Sequence, residues 1–144
     1  MSPFSLPIRV YIEDTDAGGI VFYANYLKFM ERARTEFVRN QGVALRRELE
    51  GGVNFVVANV NVNYLRSAFL DDLLLVTAEV KQLARTYMVF GQTVLRSNTE
   101  LSLDGVDPSH CELLVKGEIK VACVDQDTGK PRRLPKILER CLVS

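Results

Sequence analysis

The sequence predicts an α+β domain in which one long helix packs across an antiparallel sheet. Apolar residues recur at helical spacing over residues 24–40, and they alternate with other residues in four later segments. Short connections between these later segments favour antiparallel neighbours. A single helix covering one face of such a sheet is an α+β arrangement.

A first strand is predicted over residues 8–12, after a loose leader that Pro3 and Pro7 mark. The helix over residues 24–40 follows, with its apolar residues on one face. That face comprises Tyr26, Met30, Ala33 and Phe37, widened by Leu27, Phe29 and Val38. Arg32 and Glu36 can pair on the exposed side, and Gly42 stands where a C-terminal cap belongs. A loop region then closes at Glu50–Gly52.

Beyond this loop, alternation predicts strands over residues 56–64, 74–81, 86–96 and 115–123. Their expected inward faces are Val56, Ala58, Val60, Val62 and Tyr64, then Leu74, Val76, Ala78 and Val80, then Met88, Phe90 and Val94, and last Val115, Ile119, Val121 and Cys123. The opposite face of the first of these strands carries Asn59, Asn61 and Asn63. We expect that face to meet water or a polar partner surface.

Size and composition restrict the classes of function. The chain has 144 residues, which predicts a single domain over residues 1–144. Its 18 basic and 18 acidic residues balance, so the net charge gives no reason to expect binding to nucleic acid or to an anionic membrane. No secretory signal and no apolar stretch long enough for a transmembrane segment is visible, which predicts a cytoplasmic protein.

The cysteines and the histidine do not form a recognisable metal or disulfide pattern. Cys111, Cys123 and Cys141 are odd in number and widely spaced, so we interpret them as reduced thiols. The sole histidine, His110, lies in a turn-like sequence and is interpreted as a loop residue. No metal site and no cofactor is predicted.

The segment over residues 13–26 carries the strongest indication of chemistry. Glu13, Asp14 and Asp16 crowd together, and Gly18 and Gly19 allow a sharp turn just before the helix. The first amides of a helix lack internal partners and carry the positive end of its dipole. A carboxylate beside such amides can support acyl transfer, because the amides stabilise an oxyanion while the carboxylate attacks or activates water.

Three other interpretations of this segment are open on residue types alone. The segment can be a plain acidic turn. It can be a calcium loop, although Gly18 and Asn25 stand where an EF-hand needs ligands. An Asp-x-Asp magnesium site for phosphoryl transfer is the third, although no glycine-lysine phosphate loop accompanies it.

Residues 10–39 closely resemble the signature of the 4-hydroxybenzoyl-CoA thioesterase family, and most of all its bacterial branch associated with the Tol-Pal system. Shorter matches follow at Val62–Tyr64, Leu70–Asp72, Val121–Asp125 and Pro131–Pro135. The resemblance implies a hotdog fold, in which a five-stranded, mostly antiparallel sheet wraps one long central helix. It also implies homodimers joined edge to edge, often paired into homotetramers, with the active site at the dimer interface.

The same resemblance implies roles for two residues. Asp16 matches the catalytic aspartate, as nucleophile or general base, and the backbone amide of Tyr23 matches the oxyanion donor. The Tol-Pal-associated branch usually has a histidine at the position of Tyr23, so an imidazole role does not transfer. The Phe22–Tyr23 pair looks more like the aryl-CoA end of the family.

The function that the resemblance implies is hydrolysis of a short-chain or aryl acyl-CoA, or acyl carrier protein, thioester to acid and thiol. The predicted substrate-binding residues near Asp16 are Gly19, Ile20, Val21, Phe22 and Asn25. The residues predicted to bind the phosphates of coenzyme A are Arg66, Arg85, Lys130, Arg132 and Arg133. Two alternatives are open: a hydroxyacyl-thioester dehydratase, and a non-catalytic module that binds acyl-CoA or acyl carrier protein.

Overall fold

Five antiparallel strands form one sheet in the order β1-β3-β4-β5-β2. The computed structural model describes residues 4–97 and 111–140. The elements are β1 (Phe4–Arg9), α1 (Asn25–Asn40), α2 (Leu45–Glu50), β2 (Val53–Tyr64), β3 (Leu73–Leu83), β4 (Tyr87–Arg96) and β5 (Glu112–Asp125), with 3-10 turns at Ile12–Asp14 and Lys136–Arg140. His110 and Cys141, with their predicted loop and thiol assignments, lie outside the described residues.

Helix α1 packs its apolar face onto the sheet, as its periodicity predicts. Tyr26, Met30, Ala33 and Phe37 are all buried, and the Phe37 ring meets Phe90 of β4 edge to face at 5.7 Å. Leu27 is the exception on the predicted face, since it is partly exposed. Burial of this face holds the helix in place, because single charge pairs on its surface contribute little.

The helix ends as predicted, but its surface pairing differs. Gly42 adopts a φ of 100°, and its amide donates to the Arg39 carbonyl at 3.0 Å. Such a left-handed residue is the usual end of a helix, and glycine adopts it without a Cβ penalty. Glu36 pairs with Arg39, one turn along, instead of with Arg32.

The predictions are wrong at the start of the chain and after α1, and β2 and β5 each begin three residues before their predicted starts. Strand β1 covers Phe4–Arg9, not residues 8–12, and Ile12–Asp14 is a 3-10 turn. Pro7 lies inside β1, which is possible because β1 is an edge strand and needs only one hydrogen-bonded side. The predicted loop before Gly52 contains α2, a helix of six residues without a buried side chain and hence without a clear apolar period.

Strand β2 contains a bulge that reverses its alternation. Its pairing with β5 shifts between Val57 and Asn59, so an extra residue enters the strand there. After the bulge, Val60 and Tyr64 face the helix side, as predicted. Before it, Val57 lines the helix side, although the alternation predicted it on the opposite face. The predicted inward faces of the other three strands are buried.

The connection from β2 to β3 crosses the sheet instead of forming a hairpin. β2 pairs with β5 at one edge, whereas β3 lies between β1 and β4. Residues 65–72 therefore pass the end of the sheet beside the start of α1, where the Ala68 amide donates to the Tyr26 hydroxyl at 2.9 Å. This crossing places the segment against the acidic turn.

We expect Ala33→Phe to destabilise the fold, because Ala33 is fully buried between α1 and the sheet. Overpacking of this kind costs about 1–3 kcal/mol in the free energy of unfolding. Denaturant unfolding measures it, with Arg39→Phe at an exposed position of the same helix as the control. Equal stability of the two variants would contradict this account of the core.

Candidate active site

The acidic segment folds into a tight hairpin just before α1. The Asp16 amide donates to the Ile20 carbonyl at 2.9 Å, and Thr15 pairs with Val21 across the turn. Gly19 has a φ of 80°, a conformation that a residue with a side chain adopts only with strain. The carboxylate of Asp16 accepts a hydrogen bond from the Gly18 amide at 2.8 Å and stays exposed. The hairpin thus presents Asp16 to the surface.

Asp14 has a different environment from Asp16, although only one residue separates them. Its carboxylate is buried and accepts from the Asn25 side-chain amide at 2.8 Å and from the Tyr11 backbone amide at 2.9 Å. Asn25 is the first residue of α1, so this contact ties the hairpin to the helix. Asn25, predicted to bind substrate, is instead buried and hydrogen-bonded to Asp14.

Asp16 lies on the wall of a groove of about 430 Å³ at the N-terminal end of α1. This groove, called the Asp16 groove below, is lined by Asp16, Ile20, Val21, Phe22, Tyr23, Tyr26, Tyr64, Leu65, Arg66 and Ser67. Within residues 4–97 and 111–140, the Tyr23 amide donates no backbone hydrogen bond, whereas its neighbour Phe22 donates to the Asp14 carbonyl at 3.0 Å. An exposed carboxylate and an amide that has no partner among the described residues therefore share one groove.

Aromatic rings form one side of the Asp16 groove. The Tyr64 ring lies 6.2 Å from that of Tyr23 and 5.7 Å from that of Tyr26, measured between centroids. Burial raises the pKa of the Tyr26 and Tyr64 hydroxyls, so both stay neutral near pH 7. The motif did not predict Tyr26, Tyr64, Leu65 or Ser67 at the site. The short match at Val62–Tyr64 was the available signal.

The segment over residues 65–72 is braced by a charge network around Arg96. The Arg96 guanidinium pairs with Asp72 at 3.0 Å and Glu112 at 2.9 Å, and it donates to the Ser67 carbonyl at 3.0 Å. Arg66 also pairs with Glu112, and hydrogen bonds from both arginines lower the pKa of that carboxyl group. Arg66 thus lines the groove, but its charge is already matched.

The other predicted basic residues lie at the far end of the sheet. Arg132 follows β5 and pairs with Asp125 at 3.4 Å, whereas Arg133 pairs with Glu139 at 3.0 Å. Arg85 lies in the β3–β4 turn, where its carbonyl accepts from the Leu134 amide at 3.0 Å. Lys130 is exposed in the turn after β5. The Asp16 groove instead lies beside the start of β5, so one subunit does not bring these residues together with Asp16.

The metal-dependent interpretations find no support in the described part of the chain. There, no group of three or more His, Cys, Asp or Glu side chains is arranged to hold a metal ion. Asp14 and Asp16 accept different hydrogen bonds and do not converge on one point. No helix in the same residues is long and apolar enough to cross a membrane.

One long helix held against a five-stranded antiparallel sheet is the hotdog fold, and the comparisons with known proteins make the protein a thioester hydrolase of that fold. Residues 18–103 match the model of the thioesterase superfamily, and the chain belongs to that family.

Relatives from several bacteria agree with this assignment. The chain is 42% identical to the acyl-CoA thioesterase YbgC of Haemophilus influenzae, over 92% of this chain and 89% of that one. A probable thioesterase from Bartonella henselae superimposes with a TM-score of 0.78 at 32% identity, over 93% of this chain and 100% of the other. A 4-hydroxybenzoyl-CoA thioesterase complexed with 4-hydroxybenzoyl-CoA shares the fold, with a TM-score of 0.78 at 21% identity, over 95% of this chain and 96% of that one.

We expect Asp14→Asn to lose one of the two hydrogen bonds to this side chain, because an amide nitrogen cannot accept from Asn25 or Tyr11. A buried donor left unpaired costs about 1–3 kcal/mol in the free energy of unfolding. The double variant Asp14→Asn/Asn25→Asp restores both bonds. The new amide nitrogen at position 14 donates to the new carboxylate at position 25, and the amide oxygen at position 14 still accepts from the Tyr11 backbone amide. Denaturant unfolding should therefore show recovery in the double variant. A double variant less stable than either single variant would contradict this role.

Proposed function

We propose that the protein hydrolyses acyl-CoA thioesters in the Asp16 groove, with Asp16 as the catalytic carboxylate and the Tyr23 amide as the oxyanion donor. One observation carries this proposal. The exposed Asp16 carboxylate and the Tyr23 amide, which donates no backbone bond within the described residues, line the same groove. Such an amide at a helix start is suited to a developing negative charge.

Asp16 can act in either of two ways. As a nucleophile, its carboxylate oxygen attacks the thioester carbonyl, the carbon–sulfur bond breaks, and water then hydrolyses the mixed anhydride. As a general base, it takes a proton from water while the hydroxyl adds to the carbonyl, and the leaving thiolate is then protonated. In both routes the Tyr23 amide donates to the carbonyl oxygen, whose negative charge grows as the tetrahedral intermediate forms.

The walls of the groove favour a short or flat acyl group. Phe22, Tyr23 and Tyr64 present partly exposed aromatic surface there, on which an aryl or short-chain acyl group can pack. Coenzyme A is the carrier in the name of the Haemophilus relative. An acyl carrier protein is the alternative carrier. The single-domain organisation over residues 1–144 and a cytoplasmic location stay predictions from the sequence.

We further propose a dimer in which the β2 strands of two copies pair antiparallel. β2 is an edge strand of 12 residues with exposed Val56, Val57 and Val60, and a long apolar edge of this kind invites pairing. A two-fold axis through the middle of β2 brings the Val53 end of one copy to the Tyr64 end of the other. Val53 pairs with Asp125, the partner of Arg132, so the basic end of one copy approaches the Asp16 groove of the other.

Asp16→Asn tests the catalytic assignment, because it keeps the shape of the side chain and removes its charge. We expect kcat to fall about 100- to 10,000-fold for a general base, and about 1,000-fold or more for a nucleophile. Steady-state hydrolysis of acyl-CoA and aryl-CoA substrates measures kcat, and single-turnover trapping of an acyl-enzyme separates the two routes.

Substrate binding should survive in this variant. A folded Asp16→Asn protein with near-normal turnover would refute the catalytic assignment. If the parent protein binds acyl-CoA and releases it intact, the protein is a binding module instead.

Mixing of two impaired variants tests the shared site. One carries Asp16→Asn, and the other carries Arg132→Ala and Arg133→Ala, which should raise KM for acyl-CoA by weakening phosphate contacts. A mixed dimer holds one site with an intact Asp16 from one copy and intact arginines from the other. We expect mixing after partial denaturation to raise activity at low substrate above the average of the two parents. Activity equal to that average would exclude a site built from both copies.

A further inference from the structure

Arg34 of α1 is a buried arginine whose guanidinium is hydrogen-bonded to a neutral side chain. Its exposure is 9%, and its Nη1 donates to the Gln92 side-chain oxygen at 2.9 Å. The Gln92 amide nitrogen is also engaged, with the Met30 carbonyl at 3.0 Å and the Thr77 carbonyl at 3.1 Å. Among the described acidic residues, none forms an ion pair with Arg34. A guanidinium this deeply buried is costly unless an anion approaches it.

The guanidinium lies on the wall of an open groove between α1 and β2. The helix side of this α1–β2 groove is lined by Leu27, Lys28, Glu31, Arg32 and Arg34, and the strand side by Val57, Val60 and Ile119. A neighbouring cavity, which shares Glu31, Arg34 and Val57 with this groove, extends to α2, where Leu45 and Leu49 line it. The apolar strand wall and the Arg34 guanidinium therefore line the same groove, next to the edge strand β2.

Glu31 provides the complementary charge on the same wall. It is exposed, and its Oε1 accepts from the Thr35 hydroxyl at 2.9 Å, which leaves Oε2 available. Glu31 and Arg34 lie one turn apart along α1. Burial lowers the pKa of Arg34 and the charge of Glu31 opposes that shift, but the two side chains form no ion pair within the described part of the chain. Both line the groove at the level of Val57, close to the middle of β2.

Two-fold symmetry converts this arrangement into a self-complementary surface. If the β2 strands overlap fully, the axis passes between Ala58 and Asn59, and the two copies of α1 run antiparallel on the same side of the sheet. Glu31 and Arg34 lie on either side of the middle of α1, so Glu31 of one copy then faces Arg34 of the other. A residue of one copy meets its complement in the other, and the contact occurs twice.

We propose that a second copy of this chain covers the α1–β2 groove, and that its Glu31 pairs with Arg34 across the two-fold axis. The inference rests on the β2 pairing of the proposed function. It goes beyond that pairing by assigning the charge contact that selects the partner and the register. A buried, hydrogen-bonded charge pair at an interface sets both affinity and specificity.

Glu31→Lys tests the contact, because it faces Arg34 of the other copy with a like charge. We expect the dimer dissociation constant from sedimentation equilibrium to rise about 30-fold or more, the cost typical of breaking a buried interfacial charge pair. Glu36→Lys makes the same charge change where Glu36 pairs with Arg39, and it should leave the constant within about threefold. An equal constant for both variants would overturn the inference.

Mixed dimers separate a contact between copies from one within a chain. A chain with Glu31→Lys and a chain with Arg34→Glu repel themselves but complement each other in a mixed dimer. Native mass spectrometry of a tagged mixture should show mostly mixed dimers, whereas a contact within one chain predicts statistical mixing. If Arg34→Glu does not fold alone, Glu31→Lys/Arg34→Gln replaces it and should dimerise more tightly than Glu31→Lys.

The same experiments distinguish a different occupant of the α1–β2 groove, and a failure of the proposed function, from a failure of this inference. If Glu31→Lys stays dimeric and added inorganic phosphate raises its melting temperature, the groove binds a small anion and the inference is overturned. A monomeric parent protein would overturn the β2 pairing together with this inference. Asp16→Asn should keep the parent dissociation constant, so a failure of the catalytic assignment appears in hydrolysis and leaves the sedimentation result unchanged.

Discussion

The packing of α1 against the sheet is the constraint on which the rest of the structure depends. Ala33, fully buried, lets the helix approach β3 and β4 closely, and the larger side chains on either side of it fill the core. Because the helix is held there, the Asn25 side chain at its start meets Asp14 of the acidic hairpin. For the same reason it lies away from β2, and the α1–β2 groove stays open.

The sequence predicts the features that depend on local periodicity. The helix, its buried face and its glycine cap follow from residues within a few turns of one another, and the structure agrees. The position of β1 and the helix α2 were not predicted. Pro7 argues against a strand unless the strand is known to be an edge, and α2 buries no side chain that would impose a period. Whether a strand lies at the edge depends on the order of all strands in the sheet, so the residues around Pro7 do not indicate it.

In the candidate site too, residues that are adjacent in sequence were predicted, and residues brought together by the tertiary structure were not. Asp16, Ile20, Val21, Phe22 and Tyr23 were predicted together because they are adjacent in sequence, and they line one groove. Tyr64 reaches that groove from the end of β2, and Ser67 reaches it through the crossing of residues 65–72. Both positions depend on the tertiary structure, which no local pattern encodes. Asn25 was assigned to substrate, but burial makes it a partner of Asp14. Residue type alone cannot distinguish an exposed carboxylate from a buried one two positions away.

The bulge in β2 has a geometric consequence for the whole sheet. When a sheet curls around a helix, neighbouring strands follow paths of unequal length. The pairings of β2 with β5, β3 with β4 and β4 with β5 each contain a register shift. Each shift inserts extra path into one strand and increases the local twist. The positions of these extra residues therefore determine the curvature of the sheet. The curvature in turn sets the width of the α1–β2 groove.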